Sequence, residues 1–215
     1  MKLWTWLGAL AAGVALARGG AAQEAHQYVG AAKCKTCHGK ELIGDQYTAW
    51  KTKDPHHRAF ATLKAEASRA IAAQRGLATP AHEAPECLEC HVTAFGAPAM
   101  QIATQLDPAL GVQCESCHGP GRDYRKKKVM ADPERAHAKG LWDAEEDAAI
   151  CTKCHNERSP TFDAKRYTLS GGKTAGFDFE QAKARIPHPI PEDVKGKYLE
   201  LEKQRRGAAA EEEDE

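Results

Sequence analysis

All eight cysteines of this 215-residue chain lie in four copies of the pattern Cys-x-x-Cys-His. The thiols of the four copies are Cys34 and Cys37, Cys87 and Cys90, Cys114 and Cys117, and Cys151 and Cys154. Two cysteines three positions apart lie about one helical turn from each other, so both can bond to neighbouring edges of one haem. The histidine that follows can then ligate the iron. The pattern therefore predicts four covalently attached c-type haems, with the first iron ligands His38, His91, His118 and His155.

Two other sites could use paired cysteines. A four-sulfur zinc site can be built from two Cys-x-x-Cys pairs, and disulfides are common in exported chains with an even cysteine count. Neither site requires a histidine directly after the second cysteine in every copy. The fifth residue of the pattern therefore favours haem over zinc and over disulfides.

The first 22 residues resemble a secretory leader. Lys2 precedes an apolar stretch of about 15 residues, and Gly20-Ala21-Ala22 offers small residues for cleavage. The stretch is short for a membrane span, which needs about 20 apolar residues. We expect a leader at residues 1–22, a tetrahaem domain at 23–206, a disordered acidic tail at 207–215, and export to the periplasm, with no membrane span left after cleavage.

The composition is polar for a chain that must fold around its own side chains. The mean hydropathy is −0.59, and aromatic residues make up 7% of the chain. Such a chain buries too little apolar surface to offset its ordering entropy. We therefore expect the haems to supply the core, and the chain without haem to be largely unfolded.

Charge is balanced over the whole chain but uneven along it. Thirty basic side chains match 30 acidic ones, and loss of Lys2 and Arg18 with the leader leaves a net charge of −2. This balance argues against nucleic acid as a partner. A basic cluster stands at Arg122, Arg125, Lys126, Lys127 and Lys128, and the last five residues are acidic. Both are typical of solvated surface, but both could also steer redox partners.

The expected fold class is mainly α: a small multihaem cytochrome c, with helices and long loops wrapped around four haems and little or no sheet. Asp54-Pro55 predicts a helix start, with apolar periodicity running to Ile71 and an end at Gly76. Asp132-Pro133 predicts a second helix, residues 142–155 a third and residues 195–206 a polar fourth. Residues 79–85 and 186–191 are predicted to be loops.

Short connections predict that motifs adjacent in sequence lie close together. Only 22 residues separate His91 from Cys114, and 32 separate His118 from Cys151. Close spacing would suit electron transfer between haems.

Six further histidines are available as second iron ligands: His26, His56, His57, His82, His137 and His188. His56 shares a helical face with Phe60 and Leu63, whereas His57 points to the wetter side, so His56 is favoured. His137 lies one turn into a capped helix and is favoured as a ligand over the alternative of a surface residue. His188 stands between two prolines, which could present it to a haem or simply form a loop. His26 and His82 are weaker candidates.

The third motif carries a family resemblance. The run from Gly111 to Arg122, Gly-Val-Gln-Cys-Glu-Ser-Cys-His-Gly-Pro-Gly-Arg, resembles the third haem segment of the tetrahaem cytochrome c-554 family. The second motif, followed by Phe95-Gly96, is similar to the family's second segment. Trp50 with the run 55–59 matches its Trp-then-His helix.

The resemblance implies a helical domain with stacked haem pairs that transfers electrons. It also implies that His137 ligates the first haem, His188 the third and His56 the fourth. The second haem, on His91, would then be five-coordinate, with residues near Thr161 and Phe162 over its open face. The chain departs from the family in the lengths of the stretches after the third and fourth motifs.

Three functions fit these observations. The first is a periplasmic electron carrier between a donor oxidoreductase and an acceptor cytochrome or quinone-linked protein. The second is a subunit of an extracellular cytochrome filament, in which His26 would complete a neighbour's second haem. The third is reduction of a small ligand such as a nitrogen oxide at a five-coordinate haem. We expect the first, and expect no catalytic residues.

Overall fold

The structure is a computed structural model that describes residues 26–196. Among the α-helices that lie wholly within these residues, the longest has nine residues. They are α1 (Ala31–His38), α2 (Gln46–Thr52), α3 (Ala59–Thr62), α4 (Glu66–Gln74), α5 (Pro85–His91), α6 (Glu115–His118), α7 (Lys127–Met130), α8 (Pro133–Ala138), α9 (Ala148–Thr152) and α10 (Phe179–Lys183). Single 3₁₀ turns occupy Glu41–Ile43, Pro55–Arg58, Ala99–Gln101, Pro108–Leu110 and Ser170–Gly172. The prediction of a mainly helical fold with long loops is confirmed.

Sheet structure is minimal in the described part of the chain. The two-residue strands β1 (Tyr167–Thr168) and β2 (Thr174–Ala175) pair antiparallel, with Tyr167 opposite Ala175. A single parallel bridge joins Tyr28 to Ile102 and holds the N-terminal segment beside the loop that follows the second motif. Across residues 26–196, no helix has the length and apolar character needed to cross a bilayer.

The side-chain core consists of two small apolar clusters. One contains Leu63, Ala72 and Ala81, and the other contains Tyr124, Val129 and Ala136. The largest side chains that are fully buried include two polar ones, Gln113 and Glu115. Side chains therefore provide little apolar interior, as the composition predicted.

The prediction of one continuous helix from Asp54 to Gly76 is wrong. Asp54 does cap its start by accepting a hydrogen bond from the His56 amide, and Gly76 (φ 65°) lies just past the end of α4. Between these points the chain forms a 3₁₀ turn, then α3, then α4, because Ala65 is extended (φ −71°, ψ 158°). The apolar periodicity indicates which face is buried, but it does not show where α3 ends. Helix α3 ends because the amides of residues 63–65 each bond to the carbonyl three residues earlier, as in a 3₁₀ turn.

The other predicted helices are confirmed in part. Asp132 caps α8, which carries His137 as expected. The helix expected over 142–155 is confined to α9, because Asp147 accepts a hydrogen bond from the Ala149 amide and starts the helix there. Residues 80–84 and 187–191 are irregular, as predicted. Residues 192–196 are helical. The rest of the helix expected over 195–206, residues 1–22 and the tail 207–215 lie outside the described residues.

Candidate haem sites

Each Cys-x-x-Cys-His motif lies on a short helix that ends at or near its histidine. The first, second and third motifs end α1, α5 and α6, and the fourth follows the start of α9. The His118 amide bonds to the Cys114 carbonyl at 2.9 Å, and the His155 amide bonds to the Cys151 carbonyl at 3.0 Å. Residues four apart share a helical face, so the first thiol and the histidine point to the same side.

The eight cysteines, all within the described residues, form no disulfide. Nor do three or more His, Cys, Asp or Glu side chains of residues 26–196 converge in the way that a zinc ion requires. The disulfide and zinc alternatives therefore gain no support from the positions of these side chains.

The four motifs form a series in space that differs from their order in sequence. The side chain of Cys34 in the first motif is a neighbour of Cys114 in the third, and that of Cys90 in the second is a neighbour of Cys154 in the fourth. Helices α6 and α9 are in contact. The spatial order is therefore first, third, fourth, second. Short connections did place the third and fourth motifs side by side, but the first and second motifs lie at opposite ends.

The third motif has an imidazole facing its histidine. The ring centroids of His118 and His188 are 6.1 Å apart, and the rings are perpendicular. Two imidazoles that share one metal ion, each with a bond of about 2.0–2.1 Å, have centroids about 6 Å apart. Nδ1 of His188 lies 2.8 Å from the Ile186 carbonyl to which it donates, which leaves Nε2 free to ligate. Gln46 holds the same loop by donating to the Pro189 carbonyl.

The fourth motif has the same arrangement. The ring centroids of His155 and His56 are 5.9 Å apart, again with perpendicular rings. Phe177 also stacks on His155 with a centroid distance of 5.6 Å. His56 Nδ1 is 2.8 Å from Asp54 Oδ1, so its Nε2 is the free nitrogen. His57 instead sets its ring against Trp50, at 4.8 Å.

The imidazoles at these two motifs are held in the neutral form that binds a metal. Burial, His188 and His38 lower the pKa of His118 to about 4. Burial, His56 and Arg166 also lower the pKa of His155. Both histidines therefore keep a free nitrogen lone pair at neutral pH.

Asp54 orients His56. Burial alone would raise the pKa of this carboxyl, but the side-chain and backbone hydrogen bonds from His56 and the charges of His56 and His188 together outweigh burial, and the pKa is lowered. The ionised carboxylate accepts from both the backbone amide (2.9 Å) and the ring Nδ1 of His56. Carboxylates placed behind ligating imidazoles fix the ring and raise its basicity.

The first and second motifs lack a facing imidazole. His38 Nδ1 lies 3.2 Å from Gln46 Oε1, and His91 Nδ1 donates to the Ala59 carbonyl at 2.7 Å. Within residues 26–196, no ring contact joins either of these histidines to another imidazole. His137 is exposed and donates from Nδ1 to the Leu141 carbonyl at 3.0 Å. The structure therefore does not bring His137 against His38.

The two remaining histidines have separate surroundings. His26 Nδ1 pairs with Asp123 Oδ2 at 3.0 Å, and its ring lies against Gly140, three residues after His137. His82 lines a cavity of about 400 Å³ beside the second motif, together with Leu88, Val92, Ala94, Phe95 and Leu106. The cavity is largely apolar. Its wall includes Ala94 at φ 61°, a backbone conformation that costs energy for a residue with a side chain.

Arg158 lies beside the second motif, and the resemblance placed Thr161 and Phe162 over the haem of that motif. Arg158 Nη1 pairs with Glu89 of that motif at 2.6 Å. Thr161 Oγ1 is 3.3 Å from Ser159 Oγ, and the Phe162 ring packs directly on Gly176.

Sequence reasoning missed a carboxylate inside the third motif. Glu115 is fully buried, and its oxygens accept hydrogen bonds from the amides of Val29 (2.8 Å), Gly30 (2.7 Å) and Gly121 (2.6 Å). Burial raises the pKa of Glu115, opposed by these three amides and by Arg125. All its contacts are donors, so it is an acceptor here. The sequence pattern that could have indicated this role is a carboxylate within the motif that is followed closely by glycines.

Gln113 reinforces the same connection. Its Oε1 accepts from the Ala31 amide at 2.9 Å, and its Nε2 donates to the Asp107 carbonyl at 2.9 Å. Together Glu115 and Gln113 bind the amides of residues 29, 30 and 31, where α1 begins. They thereby attach the first motif to the third.

Gly111 joins the third motif to the segment that carries His56. Its φ is 70°, and a Cβ there would lie 2.8 Å from the His56 carbonyl oxygen. The next residue, Val112, donates to that carbonyl at 3.0 Å and accepts from Trp50 Nε1 at 2.9 Å. A close approach of two backbones requires glycine at this position.

The residues fit c-type haem. Two thiols and one imidazole share a helical face in each motif, and at two motifs a second imidazole stands at the separation expected for a shared metal ion.

Comparison with known proteins gives the same result. A family model described as "Cytochrome c554 and c-prime" matches residues 33–119, which hold the first three motifs. Cytochrome c-554 of Nitrosomonas europaea is 35% identical over 102 residues, which cover 46% of this chain and 40% of that protein. Multiheme cytochrome MtrA of Shewanella baltica is 28% identical over 126 residues, covering 55% of this chain and 35% of that one.

The chain thus aligns with well under half the length of these relatives. A solved structure of reduced cytochrome c554 from Nitrosomonas europaea covers 75% of this chain and 78% of its own, with 24% identity and a TM-score of 0.45. These matches and the four attachment motifs give c-type haems as the cofactors of this protein. The sequence matches confirm its resemblance to the tetrahaem cytochrome c-554 family.

Proposed function

We propose that this protein is an exported electron carrier that relays electrons between a donor oxidoreductase and a downstream acceptor in the periplasm. The observation that carries the proposal is the pair of facing imidazoles at the two central motifs, with centroid separations of 5.9 and 6.1 Å. Two protein ligands on one iron leave no position for a substrate. Such sites exchange electrons and do not bind reactants.

The proposed attachment residues are the eight cysteines, and the proposed iron ligands are His38, His91, His118, His155, His56, His137 and His188. Haem, when bound, supplies reversible one-electron chemistry. The chain supplies the spacing between sites: thiol contacts join the first motif to the third and the second to the fourth, and α6 to α9 contact joins the two pairs.

The protein side chains also fix the ligands. Asp54 holds the ring of His56, and the Ile186 carbonyl holds the ring of His188. Held in this way, each imidazole needs little rearrangement when the charge of the site changes. Small rearrangement favours fast electron transfer, which supports a carrier role.

A second candidate function concerns the second motif. His91 has no facing imidazole among the described residues, and a cavity of about 400 Å³ lies beside its helix. This combination favours a site open to a small ligand such as a nitrogen oxide. The filament alternative has less support, because His26 is engaged within its own chain by Asp123 and Gly140.

The domain limits remain proposals: a leader at 1–22, the tetrahaem domain at 23–206 and an acidic tail at 207–215. Intact-mass measurement of the exported protein tests them together with haem attachment. We expect a chain that begins near residue 23 and carries four haems. A mass without added haem would contradict the whole assignment.

Electron paramagnetic resonance of the oxidised protein tests the carrier proposal. We expect low-spin signals from at least the third and fourth haems, because both have facing imidazoles, and a high-spin signal from the second. High-spin signals from all four haems would contradict the proposal. If the second haem is also low-spin, the small-ligand alternative is excluded while the carrier proposal stands.

A further inference from the structure

We propose that an acidic redox protein docks on a basic surface at the first-motif end of the series. The basic surface is formed by Arg122, Arg125, Lys126, Lys127 and Lys128. The proposal rests on the electron-carrier function. It adds where on the molecule one partner binds and which sign of charge that partner carries.

The basic surface is exposed on a firmly held backbone. All five side chains are exposed. Tyr124 and Val129, within the same stretch of chain, are buried at 6% and 7% exposure and pack with Ala136. The Tyr124 hydroxyl donates to the Gly119 carbonyl at 2.9 Å. The segment that carries the cations is therefore held by buried side chains. This lowers the entropy that docking must remove from the segment.

Most of this charge is not neutralised by the protein. Lys126 lies 3.5 Å from Asp123 Oδ1, a carboxylate that His26 also binds. Lys127 and Lys128 have no ion-pair partner among residues 26–196. Unpaired cations at adjacent positions of the chain create a positive field that extends about 10 Å at 0.1 M salt.

The basic surface lies over the junction of the first and third motifs. The Arg122 amide donates to the Gln27 carbonyl at 3.1 Å, in the segment that leads into α1 and the first motif. The Arg125 amide donates to the Gly121 carbonyl at 3.1 Å, and the Gly121 amide donates to Glu115 of the third motif at 2.6 Å. Because the first motif ends the spatial series, a partner bound here reaches a terminal site.

The surroundings of the second motif carry charges of both signs. Glu83 and Glu86 are exposed there, but Arg75 also acts on Cys87 and Arg158 pairs with Glu89. The basic surface has no such mixture in its run of three lysines. An acidic protein is therefore attracted to the basic surface, so charge selects the site as well as the partner.

A protein suits this surface better than an anionic membrane. Met130, 36% exposed, is the large apolar side chain exposed in residues 121–131. Peripheral membrane binding normally adds several aromatic or aliphatic side chains to the cations.

The test compares two triple variants of the full holoprotein. Lys126→Glu, Lys127→Glu and Lys128→Glu are combined in one, and the exposed Lys165, Lys173 and Lys195 are changed to Glu in the control. Each is mixed in stopped flow with reduced flavodoxin, an acidic donor protein, and with photoreduced lumiflavin, a small neutral donor. We expect the first variant to lose about tenfold in second-order rate with flavodoxin at low salt and to have a weaker salt dependence. The control should change less than twofold.

Each outcome decides a different point. An unchanged flavodoxin rate in the first variant, or an equal loss in the control, overturns the docking proposal. Loss of binding to phosphatidylglycerol vesicles with an unchanged flavodoxin rate would assign the surface to membranes instead and also overturn it. Failure of lumiflavin to reduce the wild-type protein would contradict the electron-carrier function itself. The single variant Lys127→Gln, expected to lose about twofold, covers the case in which the triple variant misfolds.

Discussion

The two inner motifs and the two outer motifs are built differently. At the inner third and fourth motifs, an imidazole from a distant segment stands about 6 Å from the motif histidine. At the outer first and second motifs, the histidine is held by Gln46 or by the Ala59 carbonyl, and no second imidazole faces it within residues 26–196. At the inner sites the fold therefore brings two imidazoles to face each other. The outer sites, where partners would dock, are less enclosed by protein ligands.

The strongest way to break this contrast is to remove one inner imidazole. His56→Ala should convert one low-spin haem to high-spin, because the imidazole that faces His155 is lost. Paramagnetic resonance of the oxidised protein measures the change directly. The matched control is the next residue: His57→Ala removes only an edge contact with Trp50 and should leave every haem in its original spin state. Equal spectra for the two variants would mean that His56 is not a ligand.

The link between an outer and an inner motif can be tested at Glu115. Glu115→Gln replaces an acceptor oxygen with an NH₂ group facing buried backbone donors, and should lower the free energy of unfolding by about 1–3 kcal/mol. Urea unfolding of the holoprotein measures it. Glu89→Gln, in the second motif, removes an exposed pair with Arg158 and should cost less than about 1 kcal/mol. If both variants lose the same stability, the buried contacts of Glu115 do not join the motifs.

The smallest effect is expected at the outermost part of the first-motif end. The His26 hydrogen bond, helped by Lys126 and opposed by burial, lowers the pKa of Asp123 below its ordinary 3.8. A lowered pKa means that the carboxylate stabilises the folded state above pH 3.8, and that this contribution disappears as the pH falls through the folded-state pKa. Asp123→Asn should therefore cost about 0.5 kcal/mol at pH 7 and progressively less below pH 4. Thermal unfolding at both pH values measures this, and a difference independent of pH would indicate a packing effect instead.

What could be predicted from the sequence depended on how local each feature is. The four motifs, the caps at Asp54 and Asp132, and the choice of His56 over His57 follow from short spacings. The structure places His56 and His188 opposite motif histidines, in agreement with the resemblance, but leaves His137 exposed. The ligand assignments themselves remain predictions.

Features that depend on distant parts of the chain could not be predicted in this way. The buried contacts of Glu115 join residues more than 80 positions apart, and periodicity carries no information about them. The spatial order of the motifs is likewise set by side-chain contacts between segments. The break between α3 and α4 depends on the extended backbone of Ala65, a residue type that ordinarily favours helix.

Gly111 is a single residue on which the structure of two haem sites depends. It precedes the third motif in the chain, yet the atoms nearest to it belong to the backbone of residues 56, 57 and 59. Any larger residue there would push this backbone, and with it the imidazole opposite the fourth motif. Selection at this single codon therefore acts on the third and fourth haem sites together. A substitution at Gly111 that alters one site also alters the other.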